Sequence, residues 1–167
     1  MGFGDDVSAV RIPGSQVAVL KTDMLVGSTD VPPGMTLWQA ARKAVVANVS
    51  DLAAKGAKPY AGLVALGLPA RLTKRDVHQV AVGLSAGAKE YGFPLVGGDT
   101  NECNDLVISI ALFGLIEREK LVLRSGARVG DIVATTGEFG SAAASLRAVL
   151  NRKIRPKMLP ATLAQAL

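Results

Sequence analysis

Asn48-Val49-Ser50-Asp51-Leu52-Ala53-Ala54-Lys55-Gly56-Ala57 sets an amide, a hydroxyl and a carboxylate into a run otherwise made of small and apolar residues. Upstream of it, Thr36-x-x-Gln39 forms a capping box, in which each side chain satisfies a backbone N–H of an opening helical turn. Gly56 is the residue type that closes a helix in the left-handed conformation. One helix is therefore predicted over residues 36–55. Trp38, Ala41, Val45, Val49 and Leu52 recur at helical spacing and make its expected buried stripe. Asn48, Asp51 and Lys55 form a second, offset stripe, in which Asp51 and Lys55 stand at the i,i+4 spacing of an ordinary helix ion pair. A long helix with so small-sided a back is suited to lying close on a sheet.

The rest of the chain supplies that sheet. Residues 9–12 make a short stretch that is apolar apart from Arg11, Pro13-Gly14 reads as a turn, and residues 16–21 alternate as a strand running into Thr22-Asp23. Gly27, Pro32, Pro33 and Gly34 make residues 24–34 a predicted loop. A strand is expected over 60–68, ended by Pro69. Thr73 caps a second helix, with Val77, Val80, Ala81, Leu84 and Ala88 on its apolar face and Gly92 at its end. Residues 94–96 read as a short strand delivering Gly97-Gly98-Asp99-Thr100, 106–116 as the longest strand, 131–136 as another, and 141–150 as a third helix. The order β-β-α-β-α-β-β-β-α predicts an α/β (α+β) domain over 1–150, with helices on one face of a mixed or antiparallel sheet rather than a strictly alternating parallel one. Residues 151–167, with Pro156 and Pro160, read as a linker or the start of a further domain.

Composition narrows the function. In 167 residues, 49% are apolar and 4% aromatic, so Ala, Val, Leu and Ile must fill the core. No apolar run approaches the ~18 residues needed to span a bilayer, and a cytoplasmic protein is expected. The single Cys103 forms no internal disulfide. The formal charge of +5 would suit nucleic acid. Its placement argues against that partner: many basic residues fall after position 117, whereas Asp dominates the segments that look like a site. The basic run 147–157 reads as a solvated face, and His78 as a surface residue beside the apolar stripe of its helix.

Asp5, Asp23, Asp51 and Asp99 lie beside Gly, Ser or Thr, with Asp6 directly after Asp5, at predicted strand or helix ends. If they converge they need cations, because like charges in one cleft push each other's pKa upward. Mg²⁺ answers this, since it takes carboxylate, hydroxyl and water oxygens and shares its shell with substrate phosphates. Each piece has a bland reading alone: Gly4-Asp5-Asp6 as a turn, Thr22-Asp23 as a strand end, Asp51 as the partner of Lys55, Gly137-x-x-Gly140 as a tight turn. Gly97-Gly98-Asp99 is the least bland, since paired glycines weaken a strand.

Taken in order, Gly4-Asp5-Asp6, Thr22-Asp23-Met24-Leu25-Val26, residues 44–57, Leu95-Val96-Gly97-Gly98-Asp99-Thr100 and Leu123-Arg124-Ser125-Gly126-Ala127-x-x-Gly130-Asp131 closely resemble the N-terminal half of the thiamine-monophosphate kinases. These belong to the superfamily of aminoimidazole ribonucleotide synthase and selenophosphate synthetase. The resemblance covers nearly all of residues 2–150. It implies transfer of the γ-phosphoryl group of ATP to thiamine monophosphate, giving thiamine diphosphate, in a groove between two protomers whose N-terminal sheets join into a barrel. It implies that Asp6, Thr22, Asp23, Asp51 and Asp99 hold Mg²⁺ on the triphosphate and that Gly98, Asp99 and Arg124 contact ATP. Asp5 matches the same motif, and Asn48 is a candidate orienter of the metal ligands. Two positions depart from the family: Lys21 stands where Ser is usual, and Asp30 where many members carry a substrate-contacting His. The family's second domain has no counterpart in these residues, so the chain alone is expected to be nearly inactive. The alternative reading is a non-catalytic domain that binds Mg-ATP and dimerises.

Overall fold

The computed structural model describes residues 4–137 and 139–150. The sheet has five strands: β1 (Ser8–Arg11), β2 (Gln16–Val26), β3 (Lys58–Leu68), β4 (Leu95–Glu102) and β5 (Val107–Glu117), in the order β1-β2-β5-β3-β4. Neighbours are antiparallel except β3 and β4, which are parallel and joined through a helix. A parallel pair needs such a crossover, whereas β1 and β2 need only the turn at Pro13-Gly14. The helices are α1 (Gly27–Asp30), α2 (Leu37–Ala54), α3 (Lys74–Glu90) and α4 (Ser141–Leu150). The mixed α/β architecture predicted from the sequence is present. Residues 151–167, read as a linker, lie outside the described residues.

Both long helices begin as their sequences dictate. Thr36 with Gln39, and Thr73 with Asp76, form complete capping boxes. Gly56 and Gly92 follow their C-termini at φ 73° and 72°, where a side chain would be strained. Across the sheet, Val17, Val19 and Leu25 of β2 and Ile108, Ile110, Leu112 and Ile116 of β5 share one face with Val64 of β3, and all are buried. Ala41, Val45, Val49 and Leu52 of α2, with Val80 and Leu84 of α3, complete this core.

The two helices touch through small residues. A Cβ at Gly83 would lie 2.3 Å from the Trp38 carbonyl oxygen, and one at Gly87 would lie 2.8 Å from the Val45 Cβ. Trp38 therefore contributes backbone to this contact while its side chain remains 36% exposed, which corrects its place in the predicted stripe; Ala40 and Ala44 are buried instead. Gly83→Ala is expected to destabilise the protein by roughly 1–3 kcal/mol, the usual cost of overpacking. Urea unfolding checks this, and an unchanged midpoint would refute the close contact.

Three other expectations change. Residues 24–34 are not one loop: β2 continues to Val26 and a single helical turn follows, anchored where the Gly27 N–H donates to the Leu106 carbonyl at 2.7 Å. Residues 131–136 form no strand, and Ile132 and Val133 are almost fully exposed. β-propensity alone does not make a strand, and this segment pairs with none among the described residues. Finally, β4 runs through Gly97-Gly98-Asp99-Thr100 to Glu102 instead of ending before it.

Candidate functional site

Alternation along β2 sends Lys21 and Asp23 to the helix-covered face and Thr22 to the other. The last turns of α2 bring Asp51 over them. Lys21 Nζ lies 2.9 Å from Asp23 Oδ1 and 2.6 Å from Asp51 Oδ2. Asn48, fully buried one turn earlier, locks helix to strand: its Oδ1 accepts from the Asp23 N–H at 2.9 Å, and its Nδ2 donates to the Ala44 carbonyl at 3.0 Å. The second stripe of the helix thus faces the site.

One turn further, Lys55 is buried and its Nζ reaches Asp5 Oδ1 at 2.5 Å and Asp6 Oδ2 at 2.8 Å. The bland i,i+4 pair with Asp51 predicted from spacing is replaced by partners some fifty residues away. Arg124 closes this cluster. Its backbone N–H donates to Asp5 Oδ2 (3.1 Å), and its guanidinium meets Asp6 Oδ1 (3.1 Å) and the Gly4 carbonyl (3.3 Å). A cavity of about 470 Å³ joins the two clusters, lined among others by Asp5, Asp6, Lys21 and Thr22. A smaller one of about 150 Å³ lies beyond Asp23, bounded by Asp30, Lys43 and Asn48. There Asp30 Oδ2 accepts the Val26 N–H at 2.7 Å, and Lys43 Nζ donates to the Asp30 carbonyl at 2.8 Å.

The electrostatics follow from these contacts. The Lys55 ammonium, aided by the Arg124 N–H, lowers the Asp5 carboxyl to about 2; Lys55 likewise lowers Asp6. Hydrogen bonds donated by the Lys55 ammonium to Asp5 and Asp6 raise Lys55. For Lys21, partial burial pulls the pKa down, but its bonds to Asp51 and Asp23 outweigh this and the net direction is upward. A depressed carboxyl stabilises the fold above its unfolded pKa and loses that contribution as pH falls through the folded value. The stability due to Asp5 should therefore be intact above about pH 4 and lost toward pH 2. In a thermal-melt series, Asp5→Asn should flatten this acid limb; an unchanged limb would show the Lys55 contact to be unimportant.

Gly98 and Asp99 stand apart from these clusters. The rung Asp23, Ile110, Val64, Gly98 crosses the sheet from β2 to β4, so within one chain Gly98 lies three strand spacings from Asp23, about 14 Å. β5 and β3 intervene, and the four acidic segments expected to meet do so only as three. Asp99 is exposed, with Oδ1 accepting the Thr100 N–H at 2.8 Å. Gly98 also has a structural reason to be glycine, so the weakening of the strand by paired glycines is not by itself a sign of a site: a Cβ there would lie 1.7 Å from the Val64 carbonyl oxygen. His78 is exposed, as predicted.

Sequence reasoning missed Lys55 as a site residue. The Lys21-x-Asp23 spacing, which puts both on one strand face, was the available signal for the other lysine.

The donor set fits a hard divalent cation. It consists of carboxylate oxygens, with Thr22 on the opposite face of β2 from Asp23 but lining the same cavity as Asp5 and Asp6, and in each cluster an ammonium already stands between two carboxylates where positive charge is needed. Among the described residues no three acidic, His or Cys side chains form a complete cage.

Fold and side chains together define a two-layer α/β domain whose first long helix carries acidic and amide groups to the strand beneath it. Residues 4–116 match the family described as AIR synthase related protein, N-terminal domain, and the chain belongs to that family. It is 41% identical over 149 residues to the thiamine-monophosphate kinase of Nitrosopumilus maritimus, covering 89% of this chain and 47% of that protein. To the Pyrococcus horikoshii enzyme of the same name it is 42% identical over 158 residues, covering 94% and 50%. Among solved structures, AaThiL complexed with AMPPCP and TMP superimposes with a TM-score of 0.85 at 30% identity, covering 97% of this chain and 50% of that one. The chain spans about half the length of the curated relatives it matches. No helix among the described residues is long and apolar enough to cross a membrane.

Proposed function

We propose that this chain is the nucleotide- and magnesium-binding half of a cytoplasmic thiamine-monophosphate kinase, which transfers the γ-phosphoryl group of ATP to thiamine monophosphate. The observation that carries this reading is the Lys21-bridged pair of Asp23 and Asp51, held by Asn48 on a fold whose relatives bear that name. Asp6, Thr22, Asp23 and Asp51 are assigned as metal ligands, with Asp5 beside them, and Arg124 as a contact to phosphate oxygens. Mg²⁺, when bound, neutralises phosphate charge and orients the γ-phosphoryl group for in-line transfer. The protein's part is positioning. Asn48 fixes the backbone of Asp23, Arg124 offers a forked donor to anionic oxygens, and no covalent nucleophile is required. Cys103 is left outside the chemistry.

The second copy is assigned to the uncovered face of the sheet. Leu20 and Met24 of β2 and Leu63 of β3 are 45%, 63% and 49% exposed there, and Val10 and Tyr60 add to the apolar surface. Asp99 lies on this same face, so it is assigned to the groove between protomers, where the barrel closes, with the Gly98 backbone beside it. Leu63→Glu is expected to convert a dimer to monomer in sedimentation at tens of micromolar, roughly the range in which a standard interface holds. A monomeric unmodified protein would remove the barrel from the account.

Equilibrium dialysis of labelled ATP tests the site. ATP retained with Mg²⁺ and released by EDTA is expected; equal retention with and without Mg²⁺ would contradict the metal assignment.

A further inference from the structure

Lys21 is an unusual residue for its place. It sits on the helix-covered face of β2, two residues from fully buried Val19, and its side chain is only 13% exposed. A lysine in such surroundings is tolerated only when paired, because desolvation of an isolated ammonium costs several kcal/mol or roughly that order. Its partners are the two carboxylates assigned above to the metal, at 2.9 Å and 2.6 Å. It also lines the 470 Å³ cavity that it shares with Asp5, Asp6 and Thr22, so its flexible stem has room to move its head away from Asp23 and Asp51.

We propose that Lys21 is the resident cation of this site: in the metal-free protein its ammonium holds Asp23 and Asp51 together, and a divalent cation binds by displacing it into the adjoining cavity. Metal entry is then an exchange of one cation for another. Without Lys21 the two carboxylates would repel across the gap between β2 and α2. With it, the ligand pair is already assembled, at the cost of a competitor for the metal. The inference rests on the metal-site reading of Proposed function and adds a positioning role for Lys21.

The test measures metal binding and stability in the unmodified protein and in Lys21→Met, Lys21→Gln and Lys21→Arg, with Mg²⁺ alone as the probe. Calorimetric titration should give a Kd for Mg²⁺ tighter by about tenfold in the Met and Gln variants, since removing a cation in contact with a carboxylate favours a competing one by a unit or more on a log scale. The Arg variant, which keeps the charge, should bind no more tightly than the unmodified protein. Thermal melts should show the Met and Gln variants less stable in EDTA and recovering most of that loss in saturating Mg²⁺. A variant unfolded in EDTA is then titrated as Mg²⁺-induced folding, where recovery again supports the exchange. A merely structural lysine would lower the melting temperature equally with and without metal. Unchanged or weaker Mg²⁺ affinity in the neutral variants, with normal binding by the unmodified protein, overturns the exchange and leaves the metal site standing. No Mg²⁺ binding by any form, in the presence of ATP as well, overturns both.

Discussion

Asp51→Asn should lower phosphoryl transfer by the complete protein by about 100-fold or more, the scale seen when a preorganised electrostatic group is removed from a reacting centre. Asn has nearly the same shape, so the change removes charge and little else. Asp51 Oδ2 is 2.6 Å from Lys21 Nζ, and its side chain is 31% exposed, so the carboxylate is open to a ligand from one side and fixed from the other. Its helix is held in place by Asn48 and by the Leu52 side chain in the core, neither of which the substitution touches. The melting temperature should therefore move little while turnover falls and more Mg²⁺ is needed. Steady-state assays across a Mg²⁺ series check this. Turnover equal to the unmodified protein at every Mg²⁺ concentration would take Asp51 out of the site.

Lys55→Met should have its largest effect on stability. The methionine keeps the apolar stem, but Asp5 and Asp6 lose the ammonium that lies between them at 2.5 Å and 2.8 Å. With Lys55 gone, two neighbouring carboxylates face each other against the end of α2, and only Arg124 remains to compensate. The same cluster ties residues 4–6 to the segment at Arg124, while the Lys55 carbonyl accepts the Val122 N–H at 3.3 Å. Loss of one partner from a buried ionic cluster is strongly destabilising, and here the melting temperature is expected to fall on the order of 10 °C. Differential scanning calorimetry measures it. A change within 2 °C or so of zero, small beside what a buried charge is worth, would mean that the cluster adds no net stability.

Much of the fold was readable because local rules decide it. The Thr36–Gln39 box, the Thr73 cap, the stops at Gly56 and Gly92, and the alternation of β2 all act within a few residues and appear where the sequence put them. What depends on a distant partner was not readable. Residues 131–136 have strand composition but no strand to pair with among the described residues, and β4 extends through its glycines because β3 offers a parallel edge at Val64. The same division runs through the site. Asn48 and Asp51 share a helix face by spacing alone, and the structure puts that face on Asp23. Lys55 could be matched by spacing only to Asp51, since nothing local points to Asp5 and Asp6. Asp99 was grouped with the other carboxylates by motif, yet sheet order separates it from them within one chain.

These carboxylates are proposed to serve ATP-dependent transfer to thiamine monophosphate. The direct measurement incubates the complete protein with γ-labelled ATP, Mg²⁺ and thiamine monophosphate and resolves the products. Label should appear in thiamine diphosphate, require Mg²⁺ and disappear with Asp51→Asn. ATP bound in the presence of Mg²⁺ with no label passing to thiamine diphosphate would contradict the kinase and favour a domain that binds Mg-ATP without turning it over.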